Sequence, residues 1–100
     1  MKKIVWTNHA KGKMRYYGLS EGRVMRVLRV PERIEVGIAE HTAALMQPVA
    51  NIKHPYEIWV MIQDFPEQQT VISAWRYPGR TKLGEPLPAE IIREIKSIVL

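Results

Sequence analysis

The chain has 100 residues, 46% of them hydrophobic and 25% charged, and carries a formal net charge of +5 at pH 7. This length and composition predict one folded domain over residues 1–100 and exclude a disordered chain. Because the sequence contains no cysteine, disulfide scaffolds, thiol nucleophiles, iron–sulfur clusters and zinc sites built on thiolates are excluded.

The first third of the chain is predicted to form a short strand and two helices. Residues 4–6 are apolar and predict the strand, and a helix follows over about residues 8–17. A second helix is predicted over residues 20–30, with Val24, Val27 and Leu28 on its buried face. Residues suited to begin or end these helices are Thr7 or Asn8, Gly18, Ser20 and Pro31.

After Pro31 the apolar period changes from 3.6 residues to 2, which predicts strands. Ile34, Val36 and Ile38 alternate with Arg33, Glu35 and Gly37, as in a half-buried strand. Further strands are predicted over residues 44–49, 56–63 and 70–77, and their short connections favour an antiparallel meander. Pro48 suits an edge or a bulge.

A loop from Tyr77 to Pro88 precedes a last predicted helix over residues 88–100. Its apolar stripe comprises Ile91, Ile92, Ile95, Ile98 and Val99. The predicted fold is therefore α+β in the order β-α-α-β-β-β-β-α. Two N-terminal helices pack on a four-stranded antiparallel meander, and a C-terminal helix is added.

Positive charge is concentrated at the start of the chain. Residues 1–33 hold nine basic and two acidic residues, a balance of +7, whereas residues 34–100 have a balance of −2. Such a local field favours a polyanion, and nucleic acid is the predicted partner. A solvated basic face without a partner is the alternative. The residues predicted to contact nucleic acid are Lys11, Arg15, Arg23, Arg26, Arg29, Trp75, Tyr77 and Arg80.

His9 is the first candidate for chemistry. It begins the first predicted helix, and Lys13 and Tyr16 follow at i+4 and i+7, so the three share one face. An imidazole can act as a general acid or base, and a lysine beside it can hold a phosphate. The alternative is a histidine that only satisfies the helix N-terminus or a backbone carbonyl.

The end of the last predicted strand is the second candidate. Alternation places Trp75 and Tyr77 on one side with Val71 and Ser73, and Arg76 on the other side with Ile72 and Ala74. Trp75 could stack on bases while Arg76 and Arg80 grip a phosphate. If the last helix covers this face, the tryptophan rings are core instead, which is the expectation for Trp59.

Metal and nucleotide sites have no support in the sequence. His9, His41 and His54 lack ligand spacing, and the segment 79–84 has no phosphate-loop pattern. We expect no cofactor and no metal. No apolar run approaches the ~20 residues of a membrane span, and the N-terminus lacks the features of a signal peptide. We therefore expect a cytoplasmic protein without a membrane partner.

The first third of the chain contains the short motifs Asn8-His9-Ala10, Met14-Arg15, Gly18-Leu19-Ser20 and Val30-Pro31-Glu32-Arg33. Together they resemble a bacterial domain family of uncharacterised activity that is distantly related to BrnT and RelE-type toxins. The resemblance covers about residues 7–38, extends to Tyr77, and leaves out the following loop and last helix. It implies a RelE/barnase-like arrangement, with helices on one face of a four-stranded antiparallel sheet.

RelE-type toxins cut RNA without a metal, using basic and aromatic side chains, and are held inactive by an antitoxin protein. By this resemblance His9 matches the family's histidine, Arg15 its arginine, and Arg76 a basic residue near the end of the last strand. In such a ribonuclease His9 would exchange a proton, Arg76 would stabilise the phosphate charge, and Lys13 would hold the backbone. The family's asparagine before proline is replaced by Val30 in this chain. Glu57 and Glu35, which lie on predicted strands, are the candidates for a general base.

Two functions of different classes follow for this chain. The first is an RNA-binding, metal-independent endoribonuclease of the toxin type, with His9, Lys13 and Arg76 as catalytic residues. The second is a non-catalytic basic module that binds nucleic acid or a protein. A domain whose basic helices pair with an acidic antitoxin-like partner is compatible with either.

Overall fold

The computed structural model describes residues 2–37, 39–83 and 89–99, with the side chains of residues 89, 91–93, 96 and 97 in the last range. The α+β class is confirmed. The elements in chain order are β1 (Lys3–Trp6), α1 (Asn8–Tyr17), α2 (Glu21–Arg29), β2 (Arg33–Val36), β3 (Thr42–Val49), β4 (Tyr56–Asp64), β5 (Gln68–Pro78) and α3 (Ala89–Val99).

The predicted cap residues Thr7, Gly18 and Ser20 are confirmed, and α2 is one residue shorter at each end than predicted, with Val30 as its C-cap. The Thr7 hydroxyl caps α1 by accepting a hydrogen bond from the Ala10 N–H at 3.0 Å. Gly18 ends α1 in the left-handed conformation, at φ 68°, which costs other residues more. The Ser20 hydroxyl caps α2 by accepting from the Arg23 N–H at 3.1 Å.

Thr7 also ties α1 to the sheet, because its hydroxyl lies within donating distance of the Val71 carbonyl oxygen, at 3.1 Å. We expect Thr7→Ala to lower the free energy of unfolding by about 1–2 kcal/mol, since both the cap and the link to β5 are lost. Urea denaturation measures this loss. The matched control is Ser20→Ala, an exposed cap without a contact to the sheet, which should cost about half as much. Equal losses in the two variants would contradict a role for Thr7 in holding α1 on β5.

The sheet has five strands in the order β1-β5-β4-β3-β2. β2 to β5 pair antiparallel in chain order, as predicted. β1 adds a parallel edge strand to β5, from Lys3 opposite Gln68 to Trp6 opposite Val71. The prediction of a four-stranded antiparallel sheet is therefore wrong, because the short first strand pairs with the last one. Beside β1 the ammonium of Lys2 bonds Asp64 at 2.6 Å and lowers the pKa of that carboxyl.

The sheet separates two apolar cores. α1 and α2 cover one face, here called the helix-pair face, and Ile91 of α3 packs on the other, here called the tryptophan face. The buried residues of the helix-pair face are Ala10, Met14, Leu19, Val24, Val27, Leu45, Ile58, Val60, Ile62, Val71 and Ala74. Those of the tryptophan face are Ala44, Met46, Trp59, Met61, Ile72, Trp75 and Ile91.

A β-bulge in β5 changes which face each side chain takes. Met61 pairs with Ser73 but Ile62 pairs with Val71, so Ile72 is an extra residue. Val71 therefore lies on the helix-pair face and Ile72 on the tryptophan face, the reverse of the predicted assignment. After the bulge the alternation resumes, which places Arg76 on the helix-pair face, in register with Ile58.

The predicted burial of β2 is inverted. Ile34 and Val36 are 61% and 92% exposed, whereas the side chains of Arg33 and Glu35 are only 14% and 22% exposed. The reason is that α2 packs over β3 and β4 and not over the edge strand β2. On the other face Arg33 lies over the Trp59 ring, 5.1 Å from its centroid.

Some predictions concern positions outside the described residues. They are the strand position of Ile38, the helix start at Pro88, and the Ile95, Ile98 and Val99 side chains.

Candidate active site

A concavity of about 310 Å³ lies on the helix-pair face where β5 ends. It forms because Tyr17 ends α1 beside β5, and because the turn before β4 reaches the same place. The Gly79 N–H donates to the Pro55 carbonyl at 2.9 Å, which fixes this turn against the end of β5. The lining residues are Tyr17, His54, Pro55, Tyr56, Arg76 and Pro78.

Aromatic rings hold the cations of this site in place. The guanidinium carbon of Arg76 lies 4.6 Å from the centroid of the Tyr56 ring, a cation–π contact that orients the arginine while leaving it exposed. The Lys13 ammonium lies 5.4 Å from the centroid of Tyr17 and 5.8 Å from that of Tyr16. Lys13 is therefore a second cation near the concavity, in contact with the ring of its lining residue Tyr17.

The structure brings two of the three predicted catalytic residues to this region and leaves out the third. Arg76 lines the concavity, and Lys13 contacts Tyr17, which lines it. His9 lies in the first turn of α1, next to the Thr7 cap, and is not among the lining residues. The imidazole that lines the concavity belongs to His54, which is exposed.

From the sequence alone, His54 is considered only as a metal ligand, and its place in this concavity is not predicted. A signal was present in the predicted hairpin of β4 and β5. Tyr56 opens β4 and pairs with Pro78, so the residues just before Tyr56 must lie near Arg76. Tyr17 and Tyr56 were missed for a similar reason, since each was treated only as an apolar or strand residue.

The basic residues of the helices lie on the same side of the sheet as Arg76. Lys11 and Arg15 are exposed on α1 and line a second concavity of about 350 Å³ with Met14, Leu19 and Glu21. On α2 the side chains of Arg26 and Arg29 are exposed, and Arg23 donates to the Gln47 side chain at 3.4 Å. These five cations remain on surfaces that a polyanion can reach.

The other predicted contacts of nucleic acid lie on the tryptophan face. Trp75 is only 2% exposed and stacks on Trp59, with 5.9 Å between ring centroids. Its predicted use as a stacking surface for bases is wrong, because α3 buries it through Ile91. Tyr77 is half-buried against the same core.

The side chain of Arg80 is bound to the buried carboxylate of Glu57. Glu57 is fully buried and accepts hydrogen bonds from the Trp59 indole at 2.9 Å, the Thr81 hydroxyl at 2.7 Å, the Thr81 N–H at 3.1 Å and the Arg80 Nε at 3.3 Å. Arg80 also lies 3.4 Å from Glu32. This cluster attaches the segment after β5 to the sheet, and its carboxylate faces away from Arg76.

Glu35, the other carboxylate considered as a base, lies 3.1 Å from Arg33 on the same face as Glu57. Neither acid is therefore beside Arg76. Among the described residues no group of three His, Asp or Glu side chains is placed to hold a metal. None of the described helices has the length and apolar character needed to cross a bilayer.

Comparisons with known proteins add no relative. A scan against protein-family models, a search of curated proteins and a search of solved structures each gave no significant match.

Proposed function

We propose that this protein binds RNA on the helix-pair face and cleaves it at the concavity of Arg76, in the manner of the RelE-type toxins that its sequence resembles. The observation that carries the proposal is the meeting of an arginine, a histidine and two tyrosines in one exposed concavity. A RelE-like arrangement, with two helices beside a meander, belongs to this proposal.

The chemistry required is transesterification of the RNA backbone. The 2′-oxygen attacks the adjacent phosphorus, the bond from phosphorus to the 5′-oxygen breaks, and a 2′,3′-cyclic phosphate forms. The proton of the 2′-OH passes to a base, and the 5′-oxygen takes up a proton. His54 accepts the proton of the 2′-OH and returns it to the 5′-oxygen as the bond to phosphorus breaks, because an imidazole can both accept and donate a proton. Arg76 binds the two free phosphate oxygens and stabilises their charge in the transition state.

The other residues bind and position the RNA. Tyr17 and Tyr56 position Lys13 and Arg76 for the phosphates, because their rings already contact these cations. Lys13 neutralises a neighbouring phosphate, and the exposed cations of α1 and α2 extend the contact along the backbone. The same basic helices suit an acidic antitoxin-like protein that would cover the site.

Binding without cleavage is the second candidate function. It is favoured by the placement of Glu57 and Glu35 on the opposite face from Arg76. Within the part of the chain that the structure describes, no buried carboxylate lies beside the arginine to act as a base. A cleavage assay separates the two functions. Incubation of a mixed-sequence RNA with the protein and a chelator should yield fragments that end in 2′,3′-cyclic phosphate, whereas the second function predicts intact RNA.

RNA affinity should fall steeply with salt, because each phosphate contact releases counterions. The triple variant Arg23→Gln, Arg26→Gln, Arg29→Gln should bind more weakly. Its plot of log affinity against log salt should be less steep by about 2, at roughly 0.7 for each lost contact with a single strand. Fluorescence anisotropy with a labelled RNA of mixed sequence measures both effects.

The matched control for this slope is the triple variant Lys82→Gln, Arg93→Gln, Lys96→Gln, which removes the same charge from residues outside α1 and α2. The control should keep the slope of the unaltered protein. If both triple variants change the slope equally, net charge alone governs binding, and the proposed RNA surface is wrong.

A further inference from the structure

Strand β2 is an exposed edge of the sheet. It pairs with β3 on one side, and it stands last in the strand order. The Gly37 N–H donates to the Thr42 carbonyl at 3.0 Å. Since hydrogen bonding alternates along a strand, residues 33, 35 and 37 bond inward, and Ile34 and Val36 direct their N–H and C=O groups outward. An edge of this kind is a template for another strand.

The side chains on this edge are unusually apolar for an exposed strand. Ile34 is 61% exposed and Val36 92% exposed, and Val30, just after α2, is 69% exposed. Edge strands are commonly protected by outward charges or proline. β2 instead places its charges on the tryptophan face, where Arg33 and Glu35 form an ion pair at 3.1 Å.

We propose that the occupant of this edge is β2 of a second copy, paired antiparallel about Ile34. In this register Ile34 lies opposite Ile34 of the other copy. Arg33 lies opposite Glu35 of the other copy, and Glu35 lies opposite Arg33. When two copies of Arg33-Ile34-Glu35 pair antiparallel, each arginine therefore faces a glutamate. Opposite charges directly across a ladder are stabilising.

The neighbouring register is less favourable. Pairing about Glu35 would match Ile34 with Val36 but would place the two Glu35 carboxylates directly opposite each other, which is destabilising. The register about Ile34 also uses the outward-facing N–H and C=O of Ile34 on both chains. The dimer is a continuous ten-stranded sheet with a two-fold axis perpendicular to it. Both copies therefore present α1 and α2 on the same side, which doubles the basic surface.

The absence of cysteine from the chain allows a direct test. In the proposed register the two residues at position 34 form a hydrogen-bonded pair with Cα atoms about 5.5 Å apart, within the range that a disulfide spans. Ile34→Cys should form a covalent dimer under mild oxidation. Val36→Cys is the matched control. In the proposed register the two residues at position 36 are four positions apart along the strands, which separates them by about 13 Å at ~3.3 Å for each residue. They should therefore cross-link at least tenfold more slowly.

Equal cross-linking of the two variants would mean random collision, and faster cross-linking of Val36→Cys would mean another register. Either result overturns the proposal. Sedimentation equilibrium of the cysteine-free protein provides a second measurement that does not depend on the folding of a cysteine variant. It should show a reversible dimer, and Ile34→Lys should raise the dissociation constant at least tenfold because two ammonium groups then meet at the axis. A protein that stays monomeric at millimolar concentration would overturn the proposal and leave the edge to a different partner. None of these measurements involves RNA, so they are independent of the proposed function.

Discussion

Arg76→Ala is expected to lower the rate of RNA cleavage by about 10²–10³-fold, the usual effect of removing a group that stabilises developing charge. The side chain is exposed and its ring contact with Tyr56 lies at the surface. The fold should therefore be unaffected. Single-turnover cleavage of a labelled RNA, measured at saturating protein, reports the chemical step separately from binding.

Matched variants distinguish a role in chemistry from a role in charge. Arg80→Ala removes the same charge from a residue that is bound to Glu57 on the other side of the sheet, and it should leave the cleavage rate within a few-fold of normal. Arg76→Lys keeps the charge but loses the paired N–H groups of the guanidinium, and it should recover only part of the rate. If Arg76→Ala and Arg80→Ala behave alike, the concavity is not the site of cleavage.

The two histidines provide the sharpest comparison for the same site. His54→Ala should reduce cleavage by about 10²–10⁴-fold as the loss of a general acid or base, whereas His9→Ala should have a small effect because His9 does not line the concavity. The opposite result would place the reaction at the start of α1, as the sequence resemblance implies. Binding of RNA should persist in both variants, because the arginines of α2 are unchanged.

Glu57→Leu is expected to lower the free energy of unfolding by about 2–4 kcal/mol, since it leaves the Trp59 indole and the Thr81 N–H without their buried acceptor. Glu57→Gln should cost about half as much, because one amide oxygen can replace only part of the carboxylate. For a domain of this size, each 1 kcal/mol lowers the melting temperature by about 4–8 °C. Thermal and urea unfolding followed by circular dichroism would measure these losses.

Glu35→Gln is the control for Glu57. Its carboxylate also has an arginine partner on the tryptophan face, but it lies nearer the solvent. Its loss should cost less than about 1 kcal/mol, as is usual for partly exposed ion pairs. Similar losses from Glu35→Gln and Glu57→Leu would mean that the buried hydrogen bonds of Glu57 contribute little to stability.

Local signals in the sequence were enough to predict the helices and the inner strands. Thr7, Gly18 and Ser20 act through their own residue chemistry within one helical turn, so their positions could be predicted without knowledge of the fold. The alternation in β4 also placed Trp59 and Ile58 on opposite faces correctly. These elements follow from interactions between residues that are close in sequence.

Predictions failed where distant residues decide the outcome. The bulge at Ile72 depends on the pairing of β4 with β5, and the exposure of Val36 depends on where α2 comes to rest. The association of Arg80 with Glu57 joins residues that no sequence spacing relates. The same applies to the candidate site, where His54 approaches Arg76 only because two strands pair and a turn brings it beside the end of β5.

The parallel pairing of β1 with β5 has a consequence for how the chain folds. Residues 3–6 hydrogen-bond to residues 68–71, so closing this contact orders a loop of more than half the chain, at a large entropic cost. On the ribosome, β1 and the apolar faces of α1 and α2 emerge long before β5 exists to receive them. The apolar stripes of the positively charged N-terminal third therefore remain exposed to solvent until β5 has been synthesised. Contacts of such long sequence separation slow folding, and we expect β1 to dock late.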